Sequence, residues 1–539
     1  MPRRVALIGP DEQDNLALQY LAAAVEAAGH AAYRVRFNKR REIDTACARV
    51  LELAPDLVGI GIAFQCSVGD SLELVARLRA AGYAGHVTCG GHVPTFCHAE
   101  LLADCPGLDS VVRHDGEQTL VELARRLERG APLAGLPGLV WRDGGAVVIE
   151  PPRPPVRDLS TLPWPKRADA PMLVGGVPIT FVLTARGCTG ECTYCCIRAF
   201  GRDAGGPPYR MRDLDDVADE LADLYQRQRV RLFFAQDDLF IQRSERQTIE
   251  RLTALKQGLD ARGVVDAAFW IKSRPESMTA PVAAAARDLG AIHVFLGIEN
   301  ASAARLAYLG RTHGPADNLR AIALCLEHGI RPSFNLMLFD PETTLADVAA
   351  NIELASSSLP LQWNLCRTEV YSGTPLLERL RLQGRLEGDY RSYGYRIADP
   401  RAELMFRVMR VGFAERCFVH DSLMNRMIAL SFARQVHERF FPGPATTQLA
   451  AAADALIVEV HRDTVAELRR TLEFAACVDP LDEPAIRAFA VEQGFALTAR
   501  AQPWYARFDE LWGNLNARGA TLFAGVARST HGARARPAW

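Results

Sequence analysis

Strand-length apolar runs alternate with helix-length amphipathic stretches from residue 3 to about 376, and after about 380 only the helical pattern continues. A proline-rich break interrupts the alternation near residues 151–165. Together these features predict an α/β chain in parts: an N-terminal doubly wound, Rossmann-like parallel sheet, a central partial (β/α)6 barrel and a mainly α-helical C-terminal region. Periodicity alone leaves a full barrel open for the middle part. At 539 residues the chain is also too long for one hydrophobic core. The boundaries read as 1–135 for the first sheet, 136–177 for a linker, 178–380 for the barrel and 381–539 for the helical region.

In the first part, Val5–Ile8 is an apolar run ending at Gly9, followed by Leu18, Leu21 and Val25 at helical spacing, with Gly29 as a C-terminal cap. Leu57–Ile62 is the next buried run, with a helix around Leu72–Leu78. Val87–Cys89 runs into Gly90-Gly91, and Val111-Val112 into Gly116-Glu117 before the helix 119–127. Ligands of such sheets bind beyond the carboxyl ends of the strands. Those ends carry Gly9-Pro10, Gln65-Cys66-Ser67, Gly90-Gly91 and Gly116-Glu117, residues that a closely approaching molecule would need. The prolines at 151, 152, 154, 155, 163 and 165 then make a stiff connector.

The barrel strands are 179–185, 230–235, 267–271, 292–296, 333–338 and 363–368. Helices fall between them, among them 217–225 and 348–354, the latter opened by Thr344 with Asp347 three residues on. Chemistry on such a framework sits at the C-terminal ends of the strands. Beyond 380, residues 404–418, 423–440, 449–474 and 485–492 read as helices. Trp504, Tyr505 and Trp512 are expected in ordinary core.

Composition narrows the function classes. Lys+Arg 62 against Asp+Glu 64 leaves a formal charge of -2, so no chain-wide basic field exists to hold nucleic acid. No apolar stretch approaches the ~18 residues of a membrane helix, and the N-terminal apolar run is too short for a signal peptide. A soluble, cytoplasmic protein is expected. Thirteen cysteines is an odd count in a chain with no oxidising address, which argues against a disulfide framework.

Four of those cysteines fall within Arg186-Gly187-Cys188-Thr189-Gly190-Glu191-Cys192-Thr193-Tyr194-Cys195-Cys196, just past the first barrel strand. Cys188, Cys192 and Cys195 have C-x3-C-x2-C spacing. Three thiolates on one tight loop can hold three irons of a cubane and leave the fourth without a protein ligand. A molecule with an amine and a carboxylate can chelate that open iron and accept an electron from it. A structural zinc knuckle would want a fourth ligand, and Cys196 is poorly placed to be one.

C-x3-C-x2-C with an aromatic before the last cysteine, after a strand opening a barrel, resembles the signature of the radical S-adenosylmethionine (SAM) enzymes. Residues 234–240 resemble the acidic loop after the second strand in the cobalamin-associated branch. Ser273-Arg274-Pro275 and Gly297-Ile298-Glu299-Asn300 resemble its adenosylmethionine-contacting positions. Residues 339–344 and Tyr371-Ser372-Gly373-Thr374-Pro375 match its later turns. In the first part, 57–65, Cys89-Gly-Gly-His-Val-Pro-Thr95 and His114-Asp-Gly-Glu117 resemble cobalamin-binding domains. The resemblance covers residues 3 to about 380.

What the resemblance implies is a cobalamin-dependent radical SAM enzyme with a [4Fe-4S] cluster on Cys188, Cys192 and Cys195. It places S-adenosylmethionine at Tyr194, Asp237, Asp238, Ser273, Arg274 and Glu299, and cobalamin (as methylcobalamin) at Phe64, Gln65, Gly90, Gly91, Pro94, Thr95, Gly116 and Glu117. The Asp-x-His-x-x-Gly motif of many cobalamin domains is replaced by Asp11-Glu12-Gln13-Asp14-Asn15, so cobalt is expected to lack a histidine below it, with Gln65 or Asp11 as candidates to approach that face. His92 reads as a loop histidine. The implied reaction is methylation of an unactivated carbon in a small-molecule or natural-product substrate, with flavodoxin or ferredoxin as reductant. No catalytic acid or base can be assigned. The alternatives are rearrangement, cyclisation or oxidation without methyl transfer, and a non-catalytic iron–sulfur or cobalamin sensor.

Overall fold

A computed structural model of the chain describes residues 2–522. The N-terminal sheet is built from β1 (Arg4–Gly9), α1 (Leu16–Ala27), β2 (Ala31–Arg36), α2 (Ile43–Leu53), β3 (Leu57–Gly61), α3 (Val68–Ala80), β4 (His86–Gly90), α4 (His92–Phe96), α5 (His98–Asp104), β5 (Ser110–Val112) and α6 (Glu117–Arg129). β6 (Leu139–Asp143) and β7 (Ala146–Ile149) complete it. The strand order is β2-β1-β3-β4-β5-β6-β7. The first five strands are parallel, and β6 and β7 run antiparallel at one edge.

Alternation within β1 shows why both faces are covered. Ala6 and Ile8 enter one apolar cluster with Ile43, Val50 and Leu74. Val5 and Leu7 enter another with Leu18, Val25 and Leu123. A strand whose successive side chains are both buried needs helices on both sides. Residues 139–149, which the sequence assigns to the linker, belong to this sheet: Leu139 and Val140 are fully buried, whereas β7 exposes Val147 and Ile149.

The second sheet begins with β8 (Met172–Val174) and β9 (Val177–Val182). A ribbon of β10 (Ala185–Gly187), α7 (Cys196–Asp203) and β11 (Tyr209–Met211) follows, then α8 (Leu214–Arg227), β12 (Leu232–Ala235), α9 (Glu245–Ala261), β13 (Ala268–Ser273), α10 (Ala280–Leu289), β14 (Ala291–Glu299), α11 (Ala303–Tyr308), α12 (Pro315–Glu327), β15 (Arg331–Phe339), α13 (Leu345–Ser357) and β16 (Gln362–Arg367). The order β16-β15-β14-β13-β12-β9-β8 is an open half-barrel of six parallel strands with β8 antiparallel on its edge. The six strands read from sequence are these six; β8 lies in the stretch read as linker. Thr344 and Asp347 form the expected capping box of α13.

After α14 (Pro375–Leu382) and the short strands β17 (Leu386–Glu387) and β18 (Gly394–Tyr395), helices α15 (Pro400–Gly412), α16 (Leu423–Phe440), α17 (Pro444–Cys477) and α18 (Glu483–Leu522) finish the described chain. Trp504 is buried, as expected of core, while Tyr505 borders a small cavity with Glu415, Arg416 and Thr498. Among the described residues no helix is long and apolar enough to cross a membrane.

The chain divides into two compact units, and the division does not follow sequence order. One unit comprises Met1–Asp169, Leu183–Asp216 and Glu369–Tyr395; the other comprises Ala170–Val182, Val217–Thr368 and the helices from Arg396 onward. The cysteine loop, read from sequence as part of the barrel, therefore packs with the N-terminal sheet.

Candidate functional site

The cysteine loop is rooted in the β10–β11 ribbon, where Ala185, Arg186 and Gly187 pair with Met211, Arg210 and Tyr209. Gly187 has φ +88, and a Cβ there would lie 2.2 Å from the Pro208 carbonyl oxygen, so only glycine lets the strands cross this closely. Beyond it, Gly190 N–H donates to Cys188 Sγ at 3.3 Å and Cys195 N–H to the Cys192 carbonyl at 3.3 Å, folding the loop back on itself. Cys195 is the N-cap of α7, at the end of a helix that favours negative charge. Leu376 N–H, in the first turn of α14, donates to the Thr193 carbonyl at 2.9 Å.

The three thiols and Cys196 are half-buried, unlike Cys89, Cys97, Cys325 and Cys417, which are enclosed. Burial pushes the Cys97 thiol up to about 11 and those of Cys325 and Cys417 up to about 12, so these stay inert protonated hydrophobes. Among the described residues no three His, Cys, Asp or Glu side chains stand close enough to hold one metal ion. A tetrahedral zinc gathers its sulfurs at one point, whereas a cubane is held from separate corners. Three partly open thiols on one loop are a donor set that suits the cubane.

Several contacts fasten this loop to the N-terminal sheet, among them those of Phe200, Asp203 and Arg210, which the sequence had not singled out. Phe200 of α7 lies 4.8 Å from the His92 ring and 5.4 Å from the His114 ring, centroid to centroid. His114, at φ +60, reaches Asp203 Oδ2 through Nε2 at 2.7 Å. Burial holds its imidazole below the usual value, with Asp203 pulling the other way. His92 opens α4 rather than lying in a loop. Arg186 pairs with Glu117 at 2.7 Å and Arg210 with Asp115 at 2.6 Å.

The residues placed at cobalamin gather at the strand ends of the same sheet, around the switch in strand order between β1 and β3 and beside it. Phe64 is exposed. The Gln65 amide is engaged at both ends, donating to the Val370 carbonyl at 2.7 Å and accepting from Tyr393 N–H at 3.3 Å. Asp11 is drawn to Arg36 and Asn38. Gly91 has φ +115, and a Cβ there would meet the Ile62 carbonyl oxygen at 2.6 Å, so the neighbouring backbone already demands glycine. Gly90 lies at the carboxyl end of β4, and Pro94 and Thr95 are buried in α4. Thr95 Oγ1 donates to the Gly91 carbonyl at 2.8 Å and accepts from His114 N–H at 2.9 Å. Gly116 is the N-cap of α6, and the Glu117 side chain is buried against Arg186.

The remaining residues lie in the second unit. Tyr194 stays with the cysteines, but Asp237, Asp238, Ser273, Arg274 and Glu299 all sit at or just past the carboxyl ends of β12, β13 and β14. Asp237 is fully buried, 3.7 Å from Arg251, while Asp238 is exposed. Burial lowers the Lys272 ammonium, with Asp238 and Asp237 opposing that shift. Ser273 Oγ donates to the Arg274 carbonyl at 3.0 Å. Arg274 pairs with Glu276 at 2.7 Å, so its guanidinium is an ion-pair partner first. Glu299 has φ +63 at a break in the β14–β15 register, and its carboxylate is 3.6 Å from Arg311. A left-handed glutamate at a strand end is the kind of strain that collects at binding sites. Lys272 precedes the marked Ser273, and that adjacency was its only signal in the sequence; Arg311 is brought to Glu299 by folding and carried none.

Two family models match: the B12 binding domain over residues 8–124 and the radical SAM superfamily over residues 182–355. An uncharacterized methyltransferase of Pyrococcus horikoshii is 29% identical over 305 residues, covering 56% of this chain and 64% of that one. An anaerobic magnesium-protoporphyrin IX monomethyl ester cyclase of Cereibacter sphaeroides is 26% identical over 393 residues, covering 70% and 61%. The chain thus spans somewhat under two thirds of the length of these relatives. Among solved structures, the cobalamin-dependent S-adenosylmethionine radical enzyme OxsB with aqua-cobalamin and S-adenosylmethionine bound superposes with a TM-score of 0.69 at 14% identity, over 98% of this chain and 84% of that one.

Proposed function

We propose that this chain, which matches the B12 binding domain and radical SAM superfamily models in tandem, is a cobalamin-dependent radical S-adenosylmethionine enzyme that methylates an unactivated carbon of a small-molecule substrate. The observation that carries this reading is the cysteine triad lying in the same compact unit as the B12-binding sheet. A methyltransferase among the relatives supports it. When bound, the [4Fe-4S] cluster and adenosylmethionine supply a hydrogen-abstracting radical, and cobalamin supplies the methyl group.

Cys188, Cys192 and Cys195 would hold the cluster, with the ribbon and the Thr193–Leu376 hydrogen bond fixing the loop. Asp238 and Glu299, at the ends of β12 and β14, offer carboxylates suited to an ammonium group or a ribose diol; Asp237, Ser273 and Arg274 shape the turns around them. Phe64, Gly90, Pro94, Thr95 and Gly116 would line the corrin's seat. The chain's contribution is orientation and exclusion of water. The substrate remains a small molecule of unassigned structure, and flavodoxin or ferredoxin is the proposed electron donor.

The test is anaerobic turnover with methyl-labelled adenosylmethionine, read by mass spectrometry. Label in the product together with 5′-deoxyadenosine is the expected result. Product without label would favour a cyclisation or oxidation, a reading supported by the cyclase relative, which matches 70% of this chain.

A further inference from the structure

Arg186 and Arg210 stand directly opposite one another across the two strands that root the cysteine loop. Two like charges so placed push a ribbon apart. The structure answers with two carboxylates from the N-terminal sheet. Asp115 lies between the arginines, 2.6 Å from Arg210 and 3.4 Å from Arg186, and Glu117 accepts from Arg186 at 2.7 Å. All four side chains are largely withdrawn from solvent, Glu117 at 7% and Arg210 at 9% exposed. Tyr20 lies under Arg186, and the Val156 carbonyl accepts from Arg210 at 2.8 Å. Burial alone would raise the Asp115 carboxyl, but the two guanidiniums outweigh it and hold it below the usual range.

We propose that Asp115 and Glu117 are positioning residues for the cysteine loop: through Arg186 and Arg210 they clamp its root to the end of β5, so that Cys188, Cys192 and Cys195 keep the spacing one cluster requires. This rests on the triad being the cluster site. It gives Glu117 a task other than contact with cobalamin, since its carboxylate is spent on Arg186. It also makes the clamp long-range, joining the B12-binding segment 115–117 to the loop 186–196. Ion pairs of this kind act on a metal centre as outer partners do, by fixing where the ligands stand.

The experiment uses the full chain, reconstituted anaerobically with iron and sulfide. Iron per chain, the rate of iron loss to a chelator, the paramagnetic resonance spectrum of the reduced cluster and cobalamin stoichiometry are measured for wild type, Glu117→Gln and Asp115→Asn. Cluster retention against the chelator should fall about 10-fold in both variants, with an altered spectrum. The conservative Glu117→Asp keeps a carboxylate for Arg186 and should hold the cluster better than Glu117→Gln. Variants that hold iron as wild type does, with an unchanged spectrum, overturn the proposal. So does a Glu117→Asp variant no better than Glu117→Gln, including the case where both misfold. Wild-type protein that takes up no iron instead sinks the cluster reading on which the proposal rests.

Discussion

Cys195 and Cys196 are adjacent, yet they occupy different positions. Cys195 is the extended N-cap of α7, and Cys196 is already its first helical residue. Serine at 188, 192 or 195 is expected to abolish cluster binding, whereas Cys196→Ser should retain it; iron and sulfide per chain decide. This candidate triad was legible because its members are local, and spacing alone brings them onto one loop. The acids that hold the loop were not legible as such. Glu117 lies 69 residues from Arg186, and nothing in the spacing of a sequence reports a contact made by folding. Glu299 was legible as a strand-end carboxylate, but its left-handed backbone was not, since no glycine marks the turn.

At the scale of elements, long and strongly patterned segments were read well. Residues 423–440 are helical in both sequence and structure. Pattern failed where segments are short or half-exposed, as in β7, β8, β10 and β11, because a few residues show no period. The pattern also fell short in α18, read from sequence only as 485–492: the helix runs on to Leu522, through Pro503 although proline usually ends a helix, its neighbours α15, α16 and α17 packing along it. The ribbon of β10 and β11 depends on one position. Gly187→Ala would force a Cβ against a backbone oxygen in a conformation that alanine resists. Iron retention should drop in that variant while the far-ultraviolet circular dichroism stays near wild type, because the ribbon is only three residues on each side.

For the molecule as a whole, acid stability is set partly by imidazoles that fold without a charge. Burial lowers His293 to about 3 and His437 and His461 to about 4 from an ordinary 6.5. His293 is enclosed between Gln435 of α16 at 3.1 Å and Ser333 of β15 at 2.7 Å. Above 6.5 neither the folded nor the unfolded imidazole holds a proton. As pH falls below 6.5 the unfolded chain protonates first, so stability is lost progressively down to about 3. His293 alone accounts for on the order of 5 kcal/mol of that loss. Denaturant unfolding above and below 6.5 should show a steep loss in wild type and a shallower one in His293→Gln.

The first compact unit draws on three separate stretches of chain, the last ending at Tyr395. Gln65 bonds to Val370, and Tyr390 bonds to Asp104 at 2.8 Å across 286 residues. A ribosome adding about 5–20 residues per second therefore releases the N-terminal sheet first but cannot close its unit until it has reached Tyr395. During that interval the nascent strands wait for partners not yet synthesised, and a stalled or truncated transcript would yield a sheet with its last staples missing.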